Sequence, residues 1–552
     1  MENEIKIDKQ SETRPEVGND KKTLLPDLRL PHPWLTFLTI VVAAILLMLL
    51  WWRVEDVGLR LPLSVDLVGI TLMLNSIIQK KKLEKTSILL FLLTQMASLI
   101  PTFRSEGVTV AVSVLVTAVL LFLLLVDFLN GQWWQFRIRE YILPLIMSFA
   151  AFFVGLPTFL KLGLQSRKVN APPGQGKKLA LGVLKGVLIA FPVLLIFILL
   201  FSSADLIFEN KLSNFFDWLR NDSIDEIFSR LLLTFFFTVV ASAGLWLTFS
   251  FGRKKLAIEP DKALWKPFLG MTETTIVLVS VNLLFAFFLA IQFRYFFAGE
   301  ANINAAGFTY AEYARKGFQE LLIVASLAGM LYYLLAACTR RDSPKKRLAF
   351  SILGGLLLAQ VMVVLVSAYQ RITLYTGQYG MTEIRLVPKI FIFFLAAILV
   401  SLVLMEWKGL FKSLALVLLT ASFLFAVSLA LVNIDRTIAR INVERALEGD
   451  SLDYGLLATR LSNDAVPYLY EVLDSGLLPQ EVESNLSKVM VCKAYKLSRS
   501  SEKGIGLSWN YYWIKANEQH QAHSYLMDEY SLVPVGDYRQ GFLIDDMAIP
   551  CD

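Results

Sequence analysis

The feature that most constrains this chain is a repeated pattern of apolar runs, each about 20 residues long and almost free of charge. A helix of that length crosses the hydrocarbon core of a bilayer, which is roughly 30 Å thick. Backbone groups in lipid must be paired within their own segment, so each run is predicted to be a helix. The runs are Trp34–Trp52, Leu61–Ile78, Ser87–Phe103, Val108–Leu129, Leu179–Phe201, Ile227–Phe251, Thr274–Phe297, Phe318–Cys338, Leu348–Tyr369, Val387–Met405 and Leu410–Val432.

The composition agrees with a membrane protein, because 55% of the 552 residues are hydrophobic and only 18% are charged. We therefore predict an all-α fold: a polytopic transmembrane helical bundle of 11–12 spans. A small, mainly helical soluble domain is predicted to follow at the C-terminus. The lipid bilayer is the first expected partner.

A twelfth apolar run, Tyr141–Leu164, contains Pro144, Gly155 and Pro157 and decides the predicted orientation. Short loops rich in Lys and Arg mark the cytoplasmic side. If this run crosses the membrane completely, no orientation places every basic cluster inside; if it is re-entrant or interfacial, all of them lie inside. We predict eleven spans plus one such segment near 141–164, with twelve full spans as the alternative. The clusters begin at Lys80, Arg137, Arg167, Arg253, Arg340 and Lys408.

The chain divides into four regions by composition. Residues 1–33 form a polar tail that lacks the apolar core of a signal peptide, so the first span is expected to direct insertion. Residues 34–178 hold the N-terminal transmembrane segments, and residues 179–432 hold a transmembrane core. Residues 433–552 are predicted to form the soluble helical domain.

Charge separates the soluble region from the rest. Residues 433–552 carry 11 Lys and Arg against 18 Asp and Glu, a net charge of −7, whereas the remainder carries +13. A basic membrane half suits the anionic cytoplasmic leaflet, and an acidic domain suits the opposite side. We expect a protein of the cytoplasmic membrane with a cytoplasmic N-terminus and an extracytoplasmic C-terminal domain.

Known catalytic patterns are largely missing. Three histidines are too few and too scattered for a metal site, and His520 with His523 is expected to lie on a solvated helix face. For Cys492 and Cys551, two separate thiols are favoured, with a disulfide as the alternative in an oxidising exterior. No cofactor, metal or nucleic-acid partner is predicted, and the basic clusters are short loops at membrane ends.

Polar residues concentrate instead where several spans end on the predicted outer side. The densest stretch is Gly307–Ala325, GFTYAEYARKGFQELLIVA, which runs into an apolar helix. Its charges alternate one helical turn apart, a spacing that allows pairing along a helix. Glu320 lies inside the apolar run, where a carboxylate needs a neutralising partner such as Lys316, Arg371 or Arg385. An interfacial anchor with one structural ion pair is the simpler interpretation, and a binding cluster is the alternative.

The candidate binding cluster gathers these span-end residues, none of which is assigned a catalytic role. Its members are Asp205, Tyr310, Glu312, Tyr313, Arg315, Lys316, Glu320, Arg371, Tyr379, Arg385, Asp435 and Arg436.

Seven stretches resemble, in the same order, a bacterial family of polytopic membrane proteins catalogued as a domain of unknown function of the DUF 4153 or 4173 type. The resemblance covers the chain from about Leu179 to its end and implies a membrane protein with an appended soluble helical domain. It implies no substrate, cofactor or active site. The stretches are FPVLLIFILLFSSAD (Phe191–Asp205), NLLFAFFLAIQFRYFF (Asn282–Phe297), YAEYARKGFQEL (Tyr310–Leu321), YGMTEIRL (Tyr379–Leu386), NIDRTIARIN (Asn433–Asn442), SNDAVPYL (Ser462–Leu469) and LSWNYYW (Leu507–Trp513).

Two functional classes follow from these observations. The favoured one is a non-enzymatic envelope binding, scaffold or sensory module whose polar cluster and acidic domain meet an envelope protein, lipid or glycan at the outer face. The alternative is a transporter or membrane enzyme acting on a charged lipid, glycan or small solute. Repeated halves and broken helices, which are typical of transporters, are not evident in the sequence.

Overall fold

The structure is a computed structural model. It describes residues 30–52, 56–81, 84–129, 133–135, 141–166, 222–251, 267–297, 317–409, 413–501, 509–534, 540–544 and 547–551, together with a few isolated positions between 186 and 211. Within these ranges, eleven helices are long and apolar enough to cross a membrane. They confirm the predicted all-α polytopic class. The predicted span Leu179–Phe201 lies largely outside the described residues.

Seven of the helices that the structure describes form the N-terminal part of the bundle, and their polar residues pair between neighbours. Asn75 Nδ2 donates to Thr39 Oγ1 at 2.8 Å, and Gln79 Nε2 donates to Thr36 Oγ1 at 2.8 Å. A buried amide in a membrane helix needs such a partner, and the bonds fix the first two helices as an antiparallel pair. The helices are α1 (Pro33–Trp51), α2 (Arg60–Ile78), α3 (Lys85–Ser98), α4 (Ile100–Phe103), α5 (Gly107–Asp127), α6 (Ile142–Ser166) and α7 (Asp222–Phe251).

Five more helices form the second part of the bundle. Asn282 Nδ2 donates to the Leu353 carbonyl at 3.1 Å, and Gln360 Nε2 donates to the Asn282 carbonyl at 3.2 Å. These bonds hold the first helix of this group against the third, as expected for amides inside a bundle. The helices are α8 (Met271–Phe297), α9 (Phe318–Cys338), α10 (Pro344–Tyr379), α11 (Glu383–Lys408) and α12 (Leu414–Val432).

The twelfth apolar run forms α6, a single helix that includes Pro157. It packs very closely on α7, because a Cβ at Gly155 would lie 2.9 Å from backbone atoms of Ser242 and Ala243. The helix does not reverse direction, so a re-entrant loop does not form here. An interfacial course and a full crossing both stay predictions for this segment.

The contacts at the two ends of α6 bear on that choice. Tyr141 Oη, just before the helix, donates to the Trp133 carbonyl, and Trp133 Nε1 donates to the Thr86 carbonyl. At the other end, Gly163 lies against Trp34 at the start of α1. Thr86 and the start of α1 both lie beside the loop that joins α2 to α3. Both ends of α6 therefore lie near one end of the bundle, which favours an interfacial or steeply tilted course.

The C-terminal domain is mainly helical, as predicted, and it also contains a small sheet that was not predicted. Its strands are antiparallel in the order β1-β2-β3, with Phe542 opposite Ile549. The core includes the fully buried Leu457, Leu469 and Met490. The elements are α13 (Ile434–Leu447), a π-helical turn (Leu456–Arg460), a 3₁₀ turn (Asn463–Ala465), α14 (Val466–Asp474), α15 (Gln480–Ser501), α16 (Tyr511–Ala522), α17 (Tyr525–Glu529), β1 (Val533–Pro534), β2 (Gln540–Ile544) and β3 (Met547–Pro550).

Cys492 and Cys551 form a disulfide that joins α15 to the segment after β3. The expectation of two separate thiols was therefore wrong. The two residues are 59 positions apart in sequence, and their proximity follows from the sheet packing on α15. Nothing in the local sequence indicates that packing.

The C-terminal domain lies on the end of the bundle opposite the described basic loops. Asn442 of α13 exchanges two hydrogen bonds of 2.8 Å with the backbone of Met381, in the loop after α10. Arg445 donates to the Thr376 carbonyl at 2.7 Å, near the end of α10. The basic segment Arg340–Arg347 lies at the start of the same long helix. The domain and this basic segment are therefore separated by the length of α10.

Candidate functional site

The densest predicted stretch lies mostly outside the described residues. Tyr310, Glu312, Tyr313, Arg315 and Lys316 all belong to residues 298–316, which the structure does not describe.

Glu320 is described, in the first turn of α9, and it is exposed. It makes no ion pair with any other residue that the structure describes. The two proposed distant partners are engaged elsewhere: Arg371 donates to Gln292 Oε1 at 2.8 Å, and Arg385 donates to the carbonyls of Tyr379 and Gly380. The structure therefore does not gather these charges around Glu320.

Arg385 stabilises the turn between α10 and α11. Its guanidinium lies 4.1 Å from the ring centroid of Tyr375 and 5.9 Å from that of Tyr379, which is a cation–π arrangement. Gly380 in this turn has φ = +75°, a conformation that favours glycine. Arg385 and Tyr379 therefore hold the turn between α10 and α11 together through these contacts.

The other three predicted residues lie apart from one another. Asp205 is an exposed isolated position. Arg436 is on the domain surface, 3.8 Å from the Glu471 carboxylate. Asp435 is completely buried and accepts a 2.6 Å hydrogen bond from the Ser462 backbone N–H. Asp435 and Arg436 both contact other elements of the C-terminal domain, whereas Asp205 lies outside it.

The structure shows instead a polar contact between the α4–α5 loop, Arg104–Glu106, and the C-terminal domain, which we call the junction. Asp464, fully buried, accepts hydrogen bonds from the backbone N–H of Ser105, at 2.9 Å, and from its hydroxyl. Arg104 Nη1 lies 4.0 Å from Asp464 Oδ2. These groups are 359 residues apart in sequence, so no local pattern links them.

The loop is held in place for this contact by its own capping. Leu99 separates α3 from the short α4, whose second residue is Pro101. Glu106 then caps α5, where its carboxylate accepts from the backbone N–H groups of Val108 and Thr109. The cap satisfies amides that the start of the helix leaves unpaired, and it directs Arg104 and Ser105 towards the domain.

Asn510 forms the second half of the junction. Its Nδ2 donates to the carbonyls of Pro101 and Arg104 at 2.8 and 2.9 Å. Its Oδ1 accepts from the N–H groups of Tyr512 and Trp513 and thereby caps α16. One amide therefore ties the domain to the bundle and begins a helix of the domain.

Burial changes the ionisation of the groups beneath the junction. Burial raises the pKa of Asp464 to about 6, against the opposing effect of hydrogen bonds from Ser105 and the charge of Arg104. Burial likewise raises the pKa of Asp435, in spite of its hydrogen bonds from Ser462. These carboxyls therefore hold protons more strongly than exposed ones.

Lys493 is a third buried ionisable group in this layer. Burial lowers its pKa to about 8, although the nearby Asp435 charge opposes the shift. Its Nζ donates to the Leu461 carbonyl at 2.7 Å. Asp435, Asp464 and Lys493 together form a compact polar layer between the domain core and the bundle.

A cavity of about 410 Å³, the junction cavity, opens beside this layer. Its walls come from both the bundle and the domain, and they combine carboxylate, guanidinium, amide, hydroxyl and indole groups. Among its lining residues are Asp56, Arg104, Ser105, Asn463, Asn510 and Trp513. Within the described residues, no group of three His, Cys, Asp or Glu side chains is arranged to hold a metal ion.

The expectation of a solvated face for His520 was wrong. His520 is buried and its Nδ1 lies 2.6 Å from Tyr470 Oη. His523 stacks on the same tyrosine, with ring centroids 4.2 Å apart, and pairs with Asp474 at 3.0 Å. Burial, then the charge of Lys493, lowers the pKa of His520 to about 4. The two histidines belong to the packing of α14 on α16.

Three residues at or beneath the junction lie in stretches that carry the family resemblance, but no pattern in the sequence links them to Arg104 and Ser105. Asp435 lies in NIDRTIARIN, Asp464 in SNDAVPYL and Asn510 in LSWNYYW. Asp435 and Arg436 were predicted as members of the binding cluster, whereas Asp464 and Asn510 were not.

The family comparison covers both sides of the Arg104–Asp464 contact. The family model described as a domain of unknown function, DUF4153, matches residues 91–472. The match begins earlier and ends earlier than the resemblance in the sequence, so the LSWNYYW stretch lies beyond it. No curated protein and no solved structure matches the chain. Because the matched region is well over half of this polytopic membrane protein, the chain belongs to the DUF4153 family.

Proposed function

We propose that this integral membrane protein is a non-enzymatic envelope module whose C-terminal domain binds a saccharide-bearing component outside the cytoplasm. The junction cavity is the proposed binding site. The observation that carries the proposal is that the bundle and the domain build this cavity together, so that an occupant contacts both. A ligand there stabilises the docked arrangement of the domain and thereby reports its presence to the membrane part.

The composition of the cavity supports a saccharide. Trp513 offers an aromatic surface with apolar faces, and Asn463 and Asp56 offer hydrogen-bonding groups for hydroxyls. Polar pockets with a few directed hydrogen-bonding groups select their ligand by orientation. Arg104 adds one positive charge, which suits a saccharide that carries a carboxylate or phosphate.

Two observations support an outward-facing domain. The described basic segment Arg340–Arg347 lies at the opposite end of α10 from the domain, and Lys and Arg favour the cytoplasmic side. The Cys492–Cys551 disulfide suits an oxidising compartment.

A pair of added cysteines, each in a Cys338→Ser background that removes the free thiol, tests the sidedness. Leu477→Cys places a thiol on an exposed position of the domain, and Lys345→Cys places one in the basic segment. Intact cells are treated with a membrane-impermeant maleimide, and lysed cells serve as the control. We expect Leu477→Cys to react before lysis and Lys345→Cys only after it. The reverse order contradicts an extracytoplasmic domain.

A binding experiment tests the site. Purified protein in detergent is titrated with soluble cell-wall saccharide fragments while its thermal unfolding is followed. We expect a concentration-dependent rise in the unfolding temperature, and we expect Asn463→Ala to weaken it about tenfold by removing a hydrogen-bonding side chain. Ser475→Ala, on the far surface of the domain, is the matched control. No rise with any fragment, or an equal rise in Asn463→Ala, contradicts the proposal.

A further inference from the structure

A second cavity lies at the opposite end of the protein, between the start of α10 and the end of α11. It measures about 570 Å³, and we call it the basic cavity. Its polar wall consists of Arg341, Asp342, Ser343, Arg347, Ser351 and Glu406, and its apolar wall consists of Pro344, Leu348, Ile352 and Trp407.

The charge in this region is strongly positive. The segments Arg340–Arg347 and Glu406–Lys408 contain six basic and two acidic side chains. The buried acid Glu406 is already neutralised: Arg341 donates to its two oxygens at 2.7 and 2.9 Å, and Ser351 donates at 2.9 Å. The Glu406 charge is therefore matched within the wall. The other charged lining residues are Arg347 and Asp342, and the surplus of positive charge comes from Arg340, Lys345, Lys346 and Lys408 around the cavity.

The apolar wall indicates what kind of anion fits. Trp407 is 87% exposed, and Leu348 and Ile352 are 62% and 60% exposed. All three belong to helices that are long and apolar enough to span a membrane, so these exposed faces meet lipid. The cavity thus pairs a polar wall that carries two arginines with a wall that is open towards acyl chains.

We propose that the basic cavity binds the phosphate of an anionic lipid headgroup, with Arg347 as its main cation and the acyl chains along Leu348 and Ile352. Basic pockets between membrane helices on the cytoplasmic side suit such headgroups. The guanidinium of Arg347 can donate two hydrogen bonds to one phosphate, which gives orientation as well as attraction. Binding here is independent of the saccharide proposed for the junction cavity.

The test uses full-length protein in detergent with added lipid. Phosphatidylglycerol is titrated against phosphatidylcholine, and the unfolding temperature and the co-purified lipid phosphorus are measured. We expect phosphatidylglycerol to raise the unfolding temperature and phosphatidylcholine not to do so. Arg347→Gln should weaken the phosphatidylglycerol effect about tenfold, which corresponds to the loss of one charge-assisted hydrogen-bond pair. Arg341 is left unchanged because it neutralises Glu406.

The control variant is Arg440→Gln, which removes the same charge from an exposed position in the C-terminal domain. It should respond to phosphatidylglycerol as the unchanged protein does. Equal stabilisation by phosphatidylcholine, or an unchanged response in Arg347→Gln, overturns the proposal. Equal stabilisation by soluble glycerol phosphate at the same concentration also overturns it, because the site then takes a free phosphate ester.

Discussion

Asp464 offers a quantitative test of the junction because it is a fully buried carboxyl at the contact between domain and bundle. Its pKa is raised from 3.8 to about 6, chiefly by burial. The folded protein therefore binds this proton more strongly than the unfolded chain does. The contribution of Asp464 to the free energy of unfolding is therefore fully present below pH 3.8 and is lost as the pH rises through about 6.

The magnitude follows from the shift. Each unit of pKa corresponds to about 1.4 kcal/mol, so the shift of Asp464 makes the folded state about 3 kcal/mol less stable at pH 7.5 than at pH 3.8 through this group alone. Asp464→Asn keeps the acceptor for Ser105 and removes the charge. We expect the variant to match the unchanged protein near pH 4 and to exceed it by about 3 kcal/mol at pH 7.5.

The assay is thermal unfolding in detergent between pH 4 and pH 7.5, followed by tryptophan fluorescence. The difference between Asp464→Asn and the unchanged protein isolates this group from other titrations. Asp528→Asn, which removes an exposed carboxylate, is the matched control and should show no such trend. A difference that is constant with pH, or one that grows as the pH falls, refutes the assignment of Asp464 as a buried, protonation-favouring carboxyl.

Three further predictions rest on contacts described above. Replacing both Cys492 and Cys551 by Ser should lower the free energy of unfolding of the C-terminal domain by about 4 kcal/mol, because the disulfide closes a loop between residues 59 positions apart. Unfolding is measured without reductant. A decrease of less than about 1 kcal/mol contradicts the disulfide. Arg341→Ala should sharply reduce the amount of this protein in the membrane, because leaving buried Glu406 without its partner costs about 3–5 kcal/mol. The double variant Arg341→Met with Glu406→Leu should restore that amount. Failure to restore it argues against the ion pair. Burial lowers the pKa of His520 from 6.5 to about 4, so its contribution to stability is lost as the pH falls from 6.5 to about 4. His520→Gln should remove most of this acid sensitivity, measured as the pH dependence of the free energy of unfolding. An unchanged pH dependence contradicts this prediction.

The helices were predictable because their cause is local. A run of apolar residues long enough for the bilayer leaves the helix as the only economical arrangement of its backbone. The interhelical amides were predictable for a similar reason: Asn75 and Asn282 are costly in an apolar helix unless they bond a neighbour, and both do so.

The junction was not predictable because its cause is not local. Asp464 and Ser105 come together through the packing of the whole bundle under the domain, and their sequence contains no sign of each other. His520 and Cys492 were misjudged for the same reason, since their surroundings come from α14 and from the C-terminal strands. Arg385 was a candidate member of the binding cluster. The structure shows it donating to the Gly380 carbonyl in the turn beside it, and its place in a binding site stays a prediction.

Helix α10 begins beside the basic cavity and ends beneath the domain. Its 36 residues make a rod of about 54 Å, well beyond the roughly 30 Å that the hydrocarbon core requires. Tilting a rod of that length by about 5° displaces its far end by about 5 Å. The helix therefore joins the end of the bundle that holds the basic cavity directly to the segment that contacts the C-terminal domain.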